Sequence, residues 1–443
     1  MGVLMTFLRK MTPKWALNTY HRSLSWLAAA WYGHPSRKMT VIGVTGTNGK
    51  TSTCSFLAHA LEASGAKTGM TSTALFKIAD REWTNDRKMT MLGRFQLQRL
   101  LREMADAGCA YAVIETSSQG ILQHRHRGIA YDVCVFTNLT PEHIEAHGGF
   151  ENYKQAKLDF FRHTVALPRK MIDGRSIPRI AVLNADDPHG KDFAISGFDQ
   201  IVTFGVGERA DVKAVALAES LSGASFVVGS TAFALKTPGR VTVLNAVAAI
   251  ATASSLGLEM RGIAERLGLL PGIPGRYEMI REGQPFTVIV DYAFEPVALS
   301  ALLDFVARKK GEGRVIHVTG SAGGGRDIAR RPVMGRISAE RCDVTIVTNE
   351  DPYDDDPGEI IDQVAAGAID AGKIEGETLW KIADRGEAIE KAVGLARTGD
   401  VVVVTGKGSE PFIVGPNRTK MPFDDRDAAR KAIRRWLQAG QSG

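Results

Sequence analysis

The chain has 443 residues, 44% hydrophobic and 23% charged, an ordinary globular composition with room for two or three domains, each with its own core. Its four scattered cysteines, Cys54, Cys109, Cys134 and Cys342, form no CxxC or zinc spacing, which argues against a disulfide framework or structural zinc and for a reducing compartment. The formal net charge of +6 is spread along the chain, so it reads as a solvated surface or a bias toward anionic substrates such as nucleotides, not as a nucleic-acid patch.

The opening segment, Thr12 to Tyr32, carries Trp15, Leu17, Tyr20, Leu24, Trp26, Leu27 and Trp31 in a partly helical rhythm. Packing on the protein is expected there in preference to membrane docking. No secretory signal pattern and no run near the ~20 apolar residues of a bilayer span is present, so a soluble, cytoplasmic protein without stable membrane insertion is expected. Strands are then predicted at Thr40 to Val44, Ala112 to Glu115, Val133 to Asn138 and Ile180 to Asn184, with helices such as Ser52 to Ser64 and Phe95 to Ala107 between them. This alternation marks an α/β nucleotide-binding domain with a mostly parallel sheet.

From about Phe204 to Arg240, short β-prone pieces broken by Gly and Ser predict a small antiparallel addition, followed by a helix from Val243 to Leu256. The breakers in Leu270 to Arg276 mark a domain boundary. Four more apolar strands follow, Phe286 to Val290, Val315 to Thr319, Val344 to Thr348 and Val401 to Thr405. Each ends at a polar or glycine-rich turn, where ligands sit in doubly wound sheets.

Gly43-Val44-Thr45-Gly46-Thr47-Asn48-Gly49-Lys50-Thr51 lies between a predicted strand and helix. Glycines let backbone N–H groups close around phosphate oxygens, Lys50 can reach the terminal phosphates and Thr51 can ligate Mg²⁺. Val44 stands where the general P-loop pattern has its first glycine, and a purely structural turn is the alternative. Glu115, at a strand's carboxyl end before Thr116-Ser117-Ser118, serves equally as a hard-cation ligand or a solvated turn. His143 and His147, in Phe136-Thr137-Asn138-Leu139-Thr140-Pro141-Glu142-His143-Ile144-Glu145-Ala146-His147, read alone as metal ligands or as polar loop residues.

Taken together, GVTGTNGKTS, ETSSQGILQHR, FTNLTPEHIEAHG with YKQAK, LNADDP, PGRYE, VDYA, GRD…RRPVMG, TNEDPYDDDP and VVVTGKGSE resemble, in order, the motifs of Mur ligases. ILQHR and the TNEDPY position are most similar to the MurE type, which adds the third residue of the peptidoglycan peptide. The resemblance runs from about His34 to Arg426, and several motifs are shared with folylpolyglutamate synthases. It implies a P-loop-type central domain over residues 39–272, a Rossmann-like C-terminal α/β domain over 273–443 that binds the incoming amino acid, and a short N-terminal segment, 1–38, as the remnant of a UDP-binding domain.

The same resemblance implies an ADP-forming ligase using ATP and Mg²⁺. Gly46, Thr47, Asn48, Gly49, Lys50, Thr51 and Ser52 correspond to the nucleotide loop, Asn245 to an adenine contact and Asp291 to a ribose contact. Thr51, Glu115, His143 and a carbamylated Lys157 correspond to the metal-binding set, with Lys50, Glu115, His143 and Lys157 catalytic. Thr90, Ser117, Gln123 and Arg125 correspond to contacts of a UDP-linked muramoyl peptide, and Arg326, Gly406 and Glu410 to contacts of the free amino acid, with Lys407 in the same turn. Glu350 and Asp351 stand at the amino-acid signature. The implied reaction transfers a phosphoryl group to the acceptor carboxylate, after which an amine attacks the acyl-phosphate; domain closure would exclude water.

Some positions depart from the family pattern. VDYAHTP reads VDYA-Phe294-Glu295-Pro296, GKGHE reads GKG-Ser409-Glu410, and SSH reads Ser117-Ser118-Gln119. Where diaminopimelate-adding enzymes carry Asp-Asn-Pro-Arg, this chain has Glu350-Asp351-Pro352-Tyr353, and a tyrosine cannot make the bidentate pair that guanidinium makes with a carboxylate. The run Asp354-Asp355-Asp356 reads either as a lure for a side-chain amine or as a solvated loop. Two other functions compete: a related ligase with a different carboxylate acceptor, or one needing a partner protein for the UDP site, and a non-catalytic nucleotide-binding protein.

Overall fold

The computed structural model describes residues 14–87, 89–141, 147–325 and 328–441. His143 and Arg326 lie outside the described residues, as does the side chain of Trp15. The fold is mixed α/β, and the chain divides into two compact units. The first comprises Met1–Leu217, Ser225–Ala234 and Arg240–Leu270; the second comprises Ala218–Ala224, Leu235–Gly239 and Pro271–Gly443.

The first unit is organised around the strand Thr40–Thr45, which is buried along its whole length. Parallel strands Tyr111–Glu115 and Val133–Phe136 flank it, and Ile180–Asn184 and then Gln200–Gly205 continue in parallel beyond the latter. Such strands read as continuous apolar runs because helices cover both faces of the sheet. The helix Arg94–Asp106 shows how: it buries Leu97, Leu100, Leu101 and Met104 at i, i+3, i+4 and i+7, one stripe of a 3.6-residue period. The core joins these residues to Ile114, Phe136, Phe160 and Phe161.

Two features differ from the sequence expectation. The strands of the expected small antiparallel addition, Val212–Ser220, Gly223–Val228 and Thr231–Leu235, join the main sheet and extend it to 11 strands, and Gln200–Gly205 pairs with Val212–Ser220 in parallel. At the opposite edge, Thr68–Thr71, Leu75–Ile78 and Arg81–Thr84 form an arm that the sequence pattern did not signal. Thr68–Thr71 runs parallel to Tyr111–Glu115, and the next two strands are antiparallel. These strands are four residues long, and Gly69 interrupts the apolar signal because a Cβ there would sit 2.4 Å from Met104 Sδ.

The second unit carries a six-stranded sheet in the spatial order Glu278–Ile280, Thr287–Asp291, Val401–Thr405, Val315–Thr319, Val344–Thr348 and Leu379–Ile382. All its pairings are parallel except that of Glu278–Ile280. Two polar groups sit deep inside. His317 bridges Ser338 Oγ at 2.7 Å and Thr405 Oγ1 at 2.9 Å, and burial pushes its pKa down to about 3, so it stays neutral. Arg385 and Asp425 form a bidentate pair, 2.7 and 2.8 Å, with both side chains fully buried; the guanidinium also donates to Asn349 O and Thr405 O. Replacing Arg385 with Met would strand a buried carboxylate, so the variant is expected to lose about 3–5 kcal/mol of stability in a denaturant titration.

Among the described residues, no helix is long and apolar enough to cross a membrane. The four cysteines are free and buried.

Candidate active site

The parallel strands of the first unit deliver their carboxyl ends to one edge, and the predicted nucleotide residues collect there. The loop between Thr45 and the helix Lys50–Leu61 cannot tolerate side chains at two points. A Cβ on Gly46 would lie 1.9 Å from Thr137 Oγ1, and one on Gly49 would lie 2.1 Å from Asn245 Oδ1, with Gly49 at φ +82°. Its shape is held from the neighbouring strand end: Asn48 N–H donates to Asn138 Oδ1 at 2.8 Å, Thr47 N–H to Asn138 O at 2.9 Å, and Thr47 Oγ1 to Thr140 O at 3.2 Å. Lys50 Nζ donates to Thr47 O at 2.5 Å, which folds the ammonium over its own loop. Ser52 follows in the first turn of the helix.

Beside the loop, Thr51 Oγ1 donates to Glu115 Oε2 at 3.0 Å. Glu115 is 1% exposed and also accepts from Thr73 N–H at 2.6 Å and Thr73 Oγ1 at 3.0 Å. With the Thr73 hydroxyl proton on Glu115, Thr73 Oγ1 accepts from Thr90 Oγ1 at 2.9 Å. Lys157, on the helix Phe150–Ala166, is also 1% exposed; its Nζ donates to Gly46 O at 2.7 Å and lies 4.4 Å from the centre of the Tyr153 ring. Two oxygen donors at the mouth of a glycine loop, with Lys50 next to them, fit a magnesium-bound nucleotide. Among the described residues, no group of three or more His, Cys, Asp or Glu side chains forms a metal site. The set expected from the resemblance draws instead on Thr51, Glu115 and Lys157, with His143 outside the described residues.

A cleft of about 210 Å³ opens next to the loop, lined by Thr137, Asn138, Asn184, Asp187, Leu244 and Asn245 among others. Asn245 thus stands against Gly49 and in this cleft together, which suits a nucleoside contact. Asn184 Nδ2 donates to Thr137 O at 2.6 Å, and Asp187 accepts from Leu139 N–H at 2.8 Å. Sequence reasoning missed the roles of Thr73, Asn138, Asn184 and Asp187. Three of them sit inside quoted motifs, FTNLTP and LNADDP, but Thr73 carries no local signal.

The residues expected to contact the acceptor cluster with this edge. Ser117 caps the short helix Ser118–Leu122, accepting from Gly120 N–H at 3.2 Å. Gln123 Oε1 accepts from Arg125 at 3.1 and 2.7 Å, and Arg125 also donates to Met91 O, one residue from Thr90. Burial, and then Arg94, hold the Arg125 pKa below its usual range.

In the second unit, Lys407 is fully buried and donates to Asp351 Oδ1 and Glu410 Oε2, both at 2.9 Å. Asp351 Oδ1 also accepts from Val414 N–H at 2.7 Å, and Glu410 Oε1 accepts from Tyr292 Oη at 3.2 Å. Gly406 belongs to the same turn: a Cβ there would lie 2.5 Å from Glu350 Oε2. Burial raises the pKa of Glu350, reinforced by the neighbouring Asp351. Asp291 accepts backbone N–H groups from Tyr277 at 2.6 Å and Ala293 at 2.7 Å, one on each oxygen, and burial raises its pKa too. The acidic run is engaged within the fold: Asp354 accepts from Asn417 N–H, Asp355 pairs with Arg331, and Asp356 caps the helix Pro357–Asp370. Asp354 and Asp356 remain exposed, so the run is braced by the fold and open to solvent at once, and both readings of it stand.

Comparison with known proteins agrees with this layout. The Mur ligase middle domain matches residues 44–253, and the Mur ligase glutamate ligase domain matches residues 275–408. The chain is 43% identical over 424 residues to a UDP-N-acetylmuramyl-tripeptide synthetase of Roseiflexus sp. (strain RS-1), covering 93% of this chain and 82% of that protein. It is 37% identical over 420 residues to a UDP-N-acetylmuramoyl-L-alanyl-D-glutamate–2,6-diaminopimelate ligase of Geobacillus kaustophilus (strain HTA426), covering 93% and 82%. A solved structure of a ligase of the latter kind superposes with a TM-score of 0.61 at 30% identity, covering 90% of this chain and 79% of that one. Folylpolyglutamate synthase of Mycobacterium tuberculosis shares the fold, with a TM-score of 0.69 at 17% identity and coverage of 94% and 95%. The chain belongs to the Mur ligase family and is an ATP-dependent, ADP-forming peptide ligase of peptidoglycan assembly, similar to the tripeptide synthetases.

Proposed function

We propose that the protein adds the third amino acid to UDP-N-acetylmuramoyl-L-alanyl-D-glutamate, using ATP and Mg²⁺ and releasing ADP and phosphate. The observation that carries this reading is the hydrogen-bonded line Thr51–Glu115–Thr73–Thr90, which joins the phosphate loop to the acceptor segment within one unit. Phosphoryl transfer to a carboxylate needs those two sites adjacent.

In this reading the backbone N–H groups of the glycine loop and Lys50 hold the phosphates, and Lys50 leaves Thr47 O to neutralise charge on the transferring group. Thr51, Glu115, His143 and a carbamylated Lys157 would hold Mg²⁺. When bound, the ion draws charge off the phosphoryl oxygens as a Lewis acid. Arg125 and Gln123, already locked to each other, position the acceptor, with Ser117 at the adjoining helix cap. In the second unit, Gly406 and Glu410, with Arg326, receive the amino acid, while Lys407 and Asp351 fix the turn that presents them. Glu350 and Asp291 line the carboxyl edge of that unit's sheet, the latter as the ribose contact.

The added residue is proposed to lack a distal carboxylate. At the position of the diaminopimelate-reading arginine stands Tyr353, whose backbone is tied to Val414 O at 3.0 Å at φ +55°. The test is phosphate release from ATP with purified protein, Mg²⁺ and the UDP-linked dipeptide, each amino acid in turn, with the product mass determined. One amino acid is expected to stimulate turnover and give a tripeptide, with diaminopimelate at least about tenfold poorer. Turnover only with a different carboxylate acceptor would replace the UDP-linked dipeptide in this reading.

A further inference from the structure

One face of the first unit carries none of the residues assigned above to nucleotide, metal, acceptor or amino acid. The helix Lys14–Trp31 buries Ser25, Ala28 and Ala29 but leaves Tyr20, Leu27 and Trp31, at i, i+7 and i+11, 59%, 48% and 76% exposed. Half-buried Leu24 completes this apolar stripe, and Trp26, 65% exposed, also lines the cleft beside it. A cleft of about 840 Å³ runs along the stripe, walled by Leu24, Leu27, Ile129, Ala130 and Leu167. Such a surface on a water-soluble unit marks an interaction site.

The charged side chains that line it have one sign, and the nearest carboxylate to act on them, Asp159 against Arg127, lies outside the lining. Arg22, Arg37 and Arg127 line the same cleft, and among the described residues none of the three forms an ion pair. Arg127 Nε is buried without a hydrogen-bond partner. Burial, followed by the fields of Arg127 and Arg22, pushes His163 in the cleft wall down to about 4. In sequence, Arg9, Lys10, Lys14, Arg22, Arg37 and Lys38 precede Glu62, the first acidic residue of the chain.

A second copy of this chain is a poor occupant, because a two-fold contact would press these arginines against themselves. An anionic bilayer surface satisfies both halves of the pattern, since basic side chains meet lipid phosphates while Trp, Tyr and Leu enter the headgroup boundary. We propose that this face docks the protein peripherally on anionic phospholipid membranes, with Leu27 and Trp31 inserted and Arg22, Arg37 and Arg127 on the headgroups. The inference is independent of which amino acid or acceptor the ligase uses.

The test is flotation of the full chain with vesicles of phosphatidylcholine alone or with one third phosphatidylglycerol, at low and high salt. Binding is expected on the anionic vesicles only, weakening with salt. Arg22→Ala with Arg37→Ala should lower partitioning about 25-fold, roughly fivefold for each charge. Leu27→Ser with Trp31→Ser should lower it at least about tenfold. Ligase turnover in solution should be unchanged in both variants. Failure of the wild-type chain to float with anionic vesicles, or equal flotation of the arginine variant, would overturn the proposal. So would sedimentation showing a dimer lost on Trp31→Ser with no vesicle binding, which would make the face a self-association surface.

Discussion

Replacing Lys157 with Ala is expected to reduce ligation by about 10²–10³-fold, with partial return when short-chain carboxylic acids are added. Its amine is 1% exposed, bonded to a carbonyl of the nucleotide loop and set over the Tyr153 ring. A cation so placed would repel Mg²⁺, whereas a carbamate on the same atom would offer it anionic oxygens. Small acids can reoccupy the space left by Ala and supply such oxygens from solution. Lys157→Arg should stay inactive with or without them, because guanidinium cannot take up CO₂ as an amine does and keeps its charge. Reversible loss of wild-type turnover on removing dissolved CO₂ would be the matching observation. Full activity of Lys157→Ala without added acid would remove this side chain from the catalytic machinery.

The second large effect is at Lys50. Lys50→Met keeps the length of the side chain and the helix that follows but deletes the charge expected on the transferring phosphoryl group. A fall in kcat of about 10³-fold is expected, equivalent to about 4 kcal/mol of transition-state stabilisation. ADP affinity should change less than tenfold, because the loop's backbone N–H groups and the Asn245 cleft remain. Single-turnover kinetics with a parallel nucleotide titration separate the two quantities. An equal loss in both would make Lys50 a binding residue with no special role in the transition state. Thermal unfolding of the variant should match the wild-type chain, since among the described residues Nζ hydrogen-bonds to Thr47 O, within the same loop.

How far this site was legible in the sequence depends on the range of the interactions that build it. Val315–Thr319, Val344–Thr348 and Val401–Thr405 appear at the bounds their apolar runs predict, because a parallel strand covered on both faces is apolar throughout. The strand–loop–helix order around Lys50 and the carboxylate at the end of Tyr111–Glu115 are likewise local signals. The arm from Thr68 to Thr84 was not legible, being built from strands too short to show a period. Thr73 escaped for a different reason: its meaning comes from Glu115, 42 positions away, brought alongside by sheet pairing. The acidic run after Tyr353 leaves two readings open, because Asp354 and Asp356 are hydrogen-bonded to the chain and still exposed.

The support of the glycine loop by Asn138 and Thr140 also bears on how the protein folds. The bonds that give the loop its form span 90 and 93 residues, so the loop cannot take this form until the Thr40–Thr45 and Val133–Phe136 strands have met. Closing so long a stretch of chain is entropically costly and comes late relative to local helix formation. Nucleotide affinity therefore arises only with the assembled sheet, and by mass action ATP stabilises that assembly as a whole. In a cell holding nucleotide well above its dissociation constant, the ligase's own substrate would act as a folding ligand, protecting the first unit most when energy supply is high.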